Sequence, residues 1–391
     1  MADAKKTAKS NTENKYYTLD EINKLDADWN IVVSGRSDGK TYAVLSEILK
    51  NYVNSGYVKQ GAYLRRRAVD FSSLNNDQLF AGIVQNGLVN ELTGGKWNDV
   101  HYNSRRWYLS RINEEGEREN DETPFCFAFA LSEMEHNKSI SLPNITIIAY
   151  DEFLTRSLEL KNEWAILLNV LSTIIRDRDD VKIYMLANTV SYYSTYWDNF
   201  GINIQDIPIN TIRLYKMGKN EELSFAVEYY NSANRKKDSE KYFCFDDPHV
   251  SMITKALWET DLYPHLPKVW NEKKEMDEFI ELEDNDVDFS FFVKYKNDLV
   301  QCDWIDKNDW NFIFVHKKTT PIKYVDDDIV FSLEATPRSN WIPNLMKSKS
   351  LISKAVYGMI IEGKIFFQDN VCGETFSKYL ESCASTGLIT G

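Results

Sequence analysis

The 391-residue chain has no apolar run long enough to cross a bilayer. Its longest, FCFAFAL from Phe125 to Leu131, has the length of a buried strand, whereas a spanning helix needs about 20 such residues. No membrane partner is expected. The amino-terminal MADAKKTAKSNTENK is polar, with no apolar stretch behind it, so residues 1–15 read as a disordered tail and not as a secretory signal or anchor. Cysteine is scarce: Cys126, Cys244, Cys302, Cys372 and Cys383 are odd in number and never form a CxxC pair, which argues against structural zinc or a disulfide framework and for a reducing compartment, the cytoplasm by default. The five histidines make no HExxH, and a GxSxG elbow is missing, which removes the usual signatures of zinc and serine hydrolases. Positive charge is also short. With 46 Lys and Arg against 59 Asp and Glu the net charge is -13, an objection to a nucleic-acid partner that binds through phosphate. Local basic clusters at Arg65–Arg67, Arg105–Arg106, Arg235–Lys237 and Lys347/Lys349 answer it in part, although such runs are more often solvated surface.

What is present is an alternation of short apolar strands with helices. Thr18 to Glu21 has the spacing of a capping box, and the strand DWNIVVSG follows. Apolar positions at helical spacing from Lys40 to Val53 lead into a second strand, AYLRR. RWYLSRI, FCFAFAL, ITIIAY and VKIYMLA read as further strands, with a helix over 160–176 between the last two. This order predicts an α/β domain over 16–230, its mainly parallel sheet covered by helices on both faces. NSANRKKDSEK, residues 231–241, has no large apolar residue and reads as a linker. Over 242–391 the strands DFSFFVKY, LVQCDWI, WNFIFVHK and DIVFSL, a helix near 348–361, the strand GKIFFQ and a last helix predict a smaller mixed α/β domain.

The chemistry concentrates in the first domain. Ser34-Gly35-Arg36-Ser37-Asp38-Gly39-Lys40-Thr41 lies between a strand and a helix, where a G-x-x-x-x-G-K-[ST] phosphate loop belongs; only Ser34 departs from the pattern. Backbone amides would cradle the phosphates of ATP, Lys40 would hold the β and γ oxygens, and the Thr41 hydroxyl would bind Mg²⁺. ITIIAY ends in two carboxylates: Asp151 is placed for the metal, and Glu152 for the general base that orients the attacking water. Asn188, at the end of the next strand, is a candidate phosphate sensor or an ordinary loop residue. Arg176-Asp-Arg178-Asp reads as a surface ion-pair run or as an arginine finger.

NIVVSGRSDGKTYAV, IIAYDEF and LLNVLSTIIRDRDDVKIYMLANTVS together resemble the DNA-packaging ATPases of small tailed phages, a compact branch of the terminase large-subunit superfamily; GKIFFQDN resembles the closing strand of that family. The resemblance implies an additional-strand (ASCE-type) P-loop ATPase domain followed by a small RNase-H-like domain. It also implies a homopentameric ring that moves double-stranded DNA at the portal vertex of an empty capsid in the host cytoplasm, with a structural RNA as a candidate further partner. Arg176 takes the place of the finger acting on a neighbour's ATP, Arg36 that of the arginine within terminase phosphate loops, and Asn188 falls in the coupling segment. Arg66, Arg67 and Arg178 stand as further trans-acting or DNA-contacting cations. Asp303, Asp326–Asp328 and Asp369 have no two-metal spacing; the resemblance implies a vestigial nuclease domain that binds nucleic acid or capsid and does not cleave. The rival readings are a nuclease-competent terminase or another ring helicase and, outside motors, a nucleotide-gated assembly protein.

Overall fold

A computed structural model of the chain describes residues 4–10, 16–71, 78–113, 115–136, 142–155, 159–160, 162–189, 194–231, 263–264, 266, 268–271, 276–307, 310–334 and 338–385. It divides into two compact units, Met1–Cys244 with Ile253–Leu257, and Phe245–Met252 with Trp258–Gly391. The expected linker, beyond Asn231, lies outside the described residues.

The first unit carries strands β1 Ala4–Lys9, β2 Trp29–Ser34, β3 Gln60–Arg65, β4 Asp99–Asn103, β5 Arg106–Ile112, β6 Arg118–Asn120, β7 Cys126–Ala130, β8 Ile145–Asp151, β9 Lys182–Asn188, β10 Thr211–Met217 and β11 Leu223–Tyr230. Its helices are α1 Asp20–Asn23, α2 Lys40–Asn54, α3 Ala81–Gln85, α4 Leu88–Leu92, α5 Glu163–Ile175 and α6 Thr195–Phe200. The strands form one sheet in the order β1-β10-β11-β2-β9-β8-β3-β7-β5-β4, with β6 on β5. Its centre, from β11 to β7, is parallel throughout; both flanks are antiparallel. Strands buried on both faces must be apolar nearly throughout, and β2 and β8 are buried along their whole length.

Alternation assigns the faces. Val32, Tyr63, Ile147, Ala149, Tyr184 and Leu186 point to one side and pack with Val44, Leu45, Ile48, Leu49 and Tyr52 of α2. Trp29, of the opposite parity on β2, meets Trp164 of α5 and Phe200 of α6 at ring centroid distances of 6.3 and 5.7 Å. Gly61 lets α2 lie close on β3, since a Cβ there would stand 2.4 Å from Ile48 Cγ2.

Two expectations fail at the amino terminus. Ala4–Lys9 is not tail but an edge strand, paired antiparallel with β10, because main-chain hydrogen bonding along an open sheet edge needs no apolar side chains. Thr18 makes no capping box: its hydroxyl donates to Asp20 Oδ2 at 2.9 Å, and the four-residue α1 starts without a side-chain cap.

The second unit has β12 Lys268–Asn271 paired with β13 Met276–Phe279, and a six-stranded sheet. That sheet is built from β14 Val287–Tyr295, β15 Asp298–Lys307, β16 Trp310–Lys317, β17 Val330–Ser332, β18 Trp341–Ile342 and β19 Ile365–Phe367, with helices α7 Leu351–Ile361 and α8 Asn370–Ser385. The order is β18-β17-β14-β15-β16-β19; β14, β15 and β16 are an antiparallel meander, and β17, β18 and β19 add in parallel. Cys372, Phe376, Tyr379 and Cys383 recur at helical spacing along α8 and close its core against Phe291, Val293, Cys302 and Val315.

A carboxylate of β11 lies inside the first unit's core. Glu228 of β11 is 2% exposed and accepts a 2.7 Å hydrogen bond from the Tyr17 hydroxyl. Burial pushes its carboxyl up to about 7, the Tyr17 hydrogen bond working against that rise. A carboxyl raised in the fold stabilises below its unfolded pKa, and that stability is lost as pH climbs through 7. Glu228→Gln should therefore match the wild type near about pH 5 and exceed it by about 2–4 kcal/mol near about pH 8. Urea unfolding at the two pH values measures the gap.

Candidate functional site

At the end of β2 the chain leaves the sheet through two left-handed residues, Ser37 (φ 62°) and Gly39 (φ 94°), and α2 starts at Lys40. A Cβ on Gly39 would also crowd Tyr16 Cβ at 3.2 Å. No side chain caps α2, so its first amides face the loop, as anion-binding helix termini do. Ser34, in the place of the usual glycine, is buried, and its hydroxyl donates to the Gly35 carbonyl at 3.2 Å. The buried Asp38 accepts at its carbonyl from Tyr17 N–H at 2.8 Å, which ties the loop to the segment before α1.

Lys40 Nζ donates to the Gly35 carbonyl at 2.9 Å and to Asn188 Oδ1 at 2.7 Å. Thr41 Oγ1 donates to Asp151 Oδ2 at 2.8 Å. These contacts follow from strand order: β9 lies between β2 and β8, so Asn188 and Asp151 end side by side at the carboxyl edge next to the loop. Arg36, Ser37, Gly39, Lys40, Thr41, Asp151, Glu152 and Asn188 line one cavity of about 390 Å³. The donor set of a lysine, a hydroxyl, a carboxylate and open helix amides fits a polyphosphate and a hard divalent cation.

Glu152 turns out of β8 with a left-handed backbone (φ 56°), and two consecutive arginines hold it in different ways. Arg65 Nη2 donates to Glu152 Oε2 at 2.6 Å, and Arg65 Nη1 to the Tyr63 hydroxyl at 3.4 Å. Arg66 grips the main chain: Nη1 donates to the Glu152 carbonyl at 3.2 Å and Nη2 to the Phe153 carbonyl at 2.6 Å. Its Nε donates to both oxygens of Glu163, at 3.0 and 2.9 Å. Burial opposes the charge on Arg66, but Glu163 outweighs it; burial likewise pushes the Glu163 carboxyl up, and Arg66 holds it below the usual carboxylate range. Tyr150 and Tyr196 hydroxyls donate to the same carboxylate at 3.0 and 2.6 Å.

The Arg66 side chain, expected as a trans-acting or DNA-contacting cation, is only 8% exposed and is engaged inside the unit. Arg178 is also engaged within its own chain. Its guanidinium donates to the carbonyls of Ile174 and Ile175 at the end of α5 and to that of Pro143, the work of a helix C-terminal cap. Arg176, just past α5, and Arg67 are exposed and stand apart from the cavity-lining set. In the second unit Asp303 accepts from Ser290 and Gln301 and pairs with His316, Asp326 pairs with Arg338, Asp328 accepts from Tyr324 N–H, and Asp369 accepts from Cys372 N–H. Among the described residues no three or more His, Cys, Asp or Glu converge as a metal site.

Sequence reading missed Tyr63 and Glu163 and did not separate Arg65 from its neighbours. The available signal was strand alternation, which puts Tyr63 and Arg65 on one face of β3 and turns Arg66 to the other.

A family model described as Podovirus DNA encapsidation protein (Gp16) matches residues 12–237. The DNA packaging protein of Bacillus phage phi29 is 26% identical over 190 residues, 48% of this chain and 50% of that protein. The DNA packaging protein of Bacillus phage B103 is 26% identical over 176 residues, 44% and 48% of the two. The chain thus spans about half the length of the curated relatives it matches. A solved chain from the bacteriophage phi29 viral genome packaging motor assembly aligns over 94% of this chain and 100% of its own at 19% identity, with a TM-score of 0.52, a likeness of fold.

The two arginines should differ sharply in what their loss costs. Arg66→Met leaves Glu163 charged and buried without its partner, an expected loss of about 3–5 kcal/mol. Arg65→Met breaks a pair whose Glu152 side chain is 54% exposed, an expected loss below about 1 kcal/mol. Urea midpoints of the two variants measure the contrast, and equal midpoints would refute it.

Proposed function

The chain belongs to the Podovirus DNA encapsidation protein (Gp16) family, and we propose that it is an ATP-driven translocase that packages double-stranded DNA into a preformed capsid. The observation that carries this reading is the single cavity in which the phosphate loop, Lys40, Thr41, Asp151, Glu152 and Asn188 meet. Lys40 and the loop amides bind and orient the β and γ phosphates. Thr41 and Asp151 would hold Mg²⁺, which when bound supplies charge neutralisation between those oxygens. Glu152 orients the attacking water and takes its proton, and for that its carboxylate must leave Arg65. Asn188, bonded to Lys40, is positioned to register whether a γ phosphate is present.

In this reading residues 16–230, with the edge strand Ala4–Lys9, are the ATPase domain, 231–241 the linker and 242–391 an RNase-H-like domain. The meander β14-β15-β16 with β17 and β18 added in parallel beside β14 supports the RNase-H-like assignment. We read that domain as a binding module for nucleic acid or capsid, because its candidate acids Asp303, Asp326, Asp328 and Asp369 are engaged within the fold. The protein acts as a ring, a pentamer at the portal vertex, in the host cytoplasm, with a structural RNA as a further candidate partner. Arg176, exposed at the end of α5, reaches the ATP of a neighbouring subunit, with Arg36 and Arg67 as the other exposed cations of the set.

Two substitutions test the site. Lys40→Ala should abolish ATP hydrolysis and weaken nucleotide binding, whereas Glu152→Gln should keep ATP bound and lower steady-state hydrolysis roughly a hundredfold or more. Near-normal turnover in Lys40→Ala would end the phosphate-loop assignment.

Arg176→Ala should bind ATP like the wild type yet lose on the order of 10³-fold or more in rate, the scale of a missing arginine finger. Mixed with Glu152→Gln subunits it should regain turnover, because some interfaces then pair an intact arginine with an intact base. A mixture as inactive as its parents, under conditions where wild-type rings assemble, would return Arg176 to the role of a surface charge.

A further inference from the structure

Tyr63 belongs to no nucleotide-binding motif, yet its hydroxyl ends in the candidate site. The side chain is 2% exposed, and its ring is fixed edge-on against Phe71 and Trp107 at centroid distances of 6.2 and 6.0 Å. Packing alone would be served by phenylalanine, and a buried hydroxyl costs free energy unless it finds a partner. This one donates to Asp151 Oδ2 at 2.9 Å. The same oxygen accepts from Thr41 Oγ1 at 2.8 Å, and Asp151 Oδ1 accepts from the Glu152 amide at 2.9 Å. The carboxylate is thereby braced between the phosphate-loop helix on one side and β3 on the other. Arg65 completes the connection: it donates to the Tyr63 oxygen while pairing with Glu152.

We propose that Tyr63 is a positioning residue for the divalent-cation site, its hydroxyl orienting the Asp151 carboxylate toward the metal and linking it through Arg65 to Glu152. Groups that hydrogen-bond to a ligating carboxylate fix its direction, and their loss lowers metal affinity. A phenol keeps its proton at neutral pH, so the Tyr63 hydroxyl is a donor there. The inference rests on the nucleotide-hydrolysis reading above.

The test is binding of a fluorescent ATP analogue by the full chain, without metal and then across a Mg²⁺ titration. Tyr63→Phe keeps the ring and should bind the metal-free analogue like the wild type, but it should need about 10-fold or more Mg²⁺ for half-maximal tightening, the scale on which such outer partners act. In an Asp151→Asn background the same substitution should have no further effect, because its partner carboxylate is gone. A Mg²⁺ dependence equal to the wild type's, loss of metal-free binding, or an undiminished effect in Asp151→Asn would each overturn the proposal. If the wild type itself shows no Mg²⁺-dependent tightening, the nucleotide reading falls and takes this proposal with it. A wild type that responds beside an unaltered Tyr63→Phe removes the proposal alone.

Discussion

The carbonyls of Glu152 and Phe153 emerge where β8 has left the sheet, and the Arg66 guanidinium takes both while its Nε holds Glu163. Much of the first unit is arranged around that grip. A charge this deeply buried is tolerable only with a full set of partners, so Glu163 must be ionised and must itself be satisfied by the Tyr150 and Tyr196 hydroxyls and the Leu160 amide. Those partners fix β8, α5 and α6 relative to one another. The strained backbone at Glu152 persists because the surrounding hydrogen bonds leave it no alternative.

From this frame the candidate site follows as a consequence of parity along β3. Tyr63 and Arg65 face the cavity side of the turn and meet Asp151 and Glu152; Arg66, one residue on, turns to the other side and meets Glu163. Three positions at the end of one strand thus brace the Asp151 carboxylate, pair with the Glu152 side chain and anchor the Glu152 main chain. An exposed ion pair such as Arg65 with Glu152 contributes little to stability, which leaves that carboxylate free to exchange partners, whereas the Arg66 pair is part of the core. Rigidity of the backbone and mobility of the side chain are set by adjacent residues.

Much of this was legible in the chain before any coordinates. The apolar stretches IVV and ITIIAY announce buried parallel strands, and GKT between a strand and a helix announces an anion site, because local geometry and period decide these features. The same local logic misread Thr18–Glu21, where the Thr18 hydroxyl bonds the Asp20 side chain and no helix amide, and residues 4–9, where a polar segment finds a sheet edge. The basic clusters were the least legible. Arg65, Arg66, Arg67, Arg176 and Arg178 carry the same charge, and nothing in their spacing says which will be buried.

By itself the sequence determined the alternation of strands and helices, the loop Ser34–Thr41 between a strand and a helix and the acidic strand end at Asp151 and Glu152, since each depends on residues close in the chain. Tertiary structure alone decided that β9 separates β2 from β8 and that Tyr63, 88 positions from Asp151, donates to the same oxygen as Thr41. It alone sent Arg66 inward to Glu163 and Arg178 to the end of α5. The physical reason is that burial and partner choice belong to contacts between distant segments, which charge and spacing along the chain do not encode.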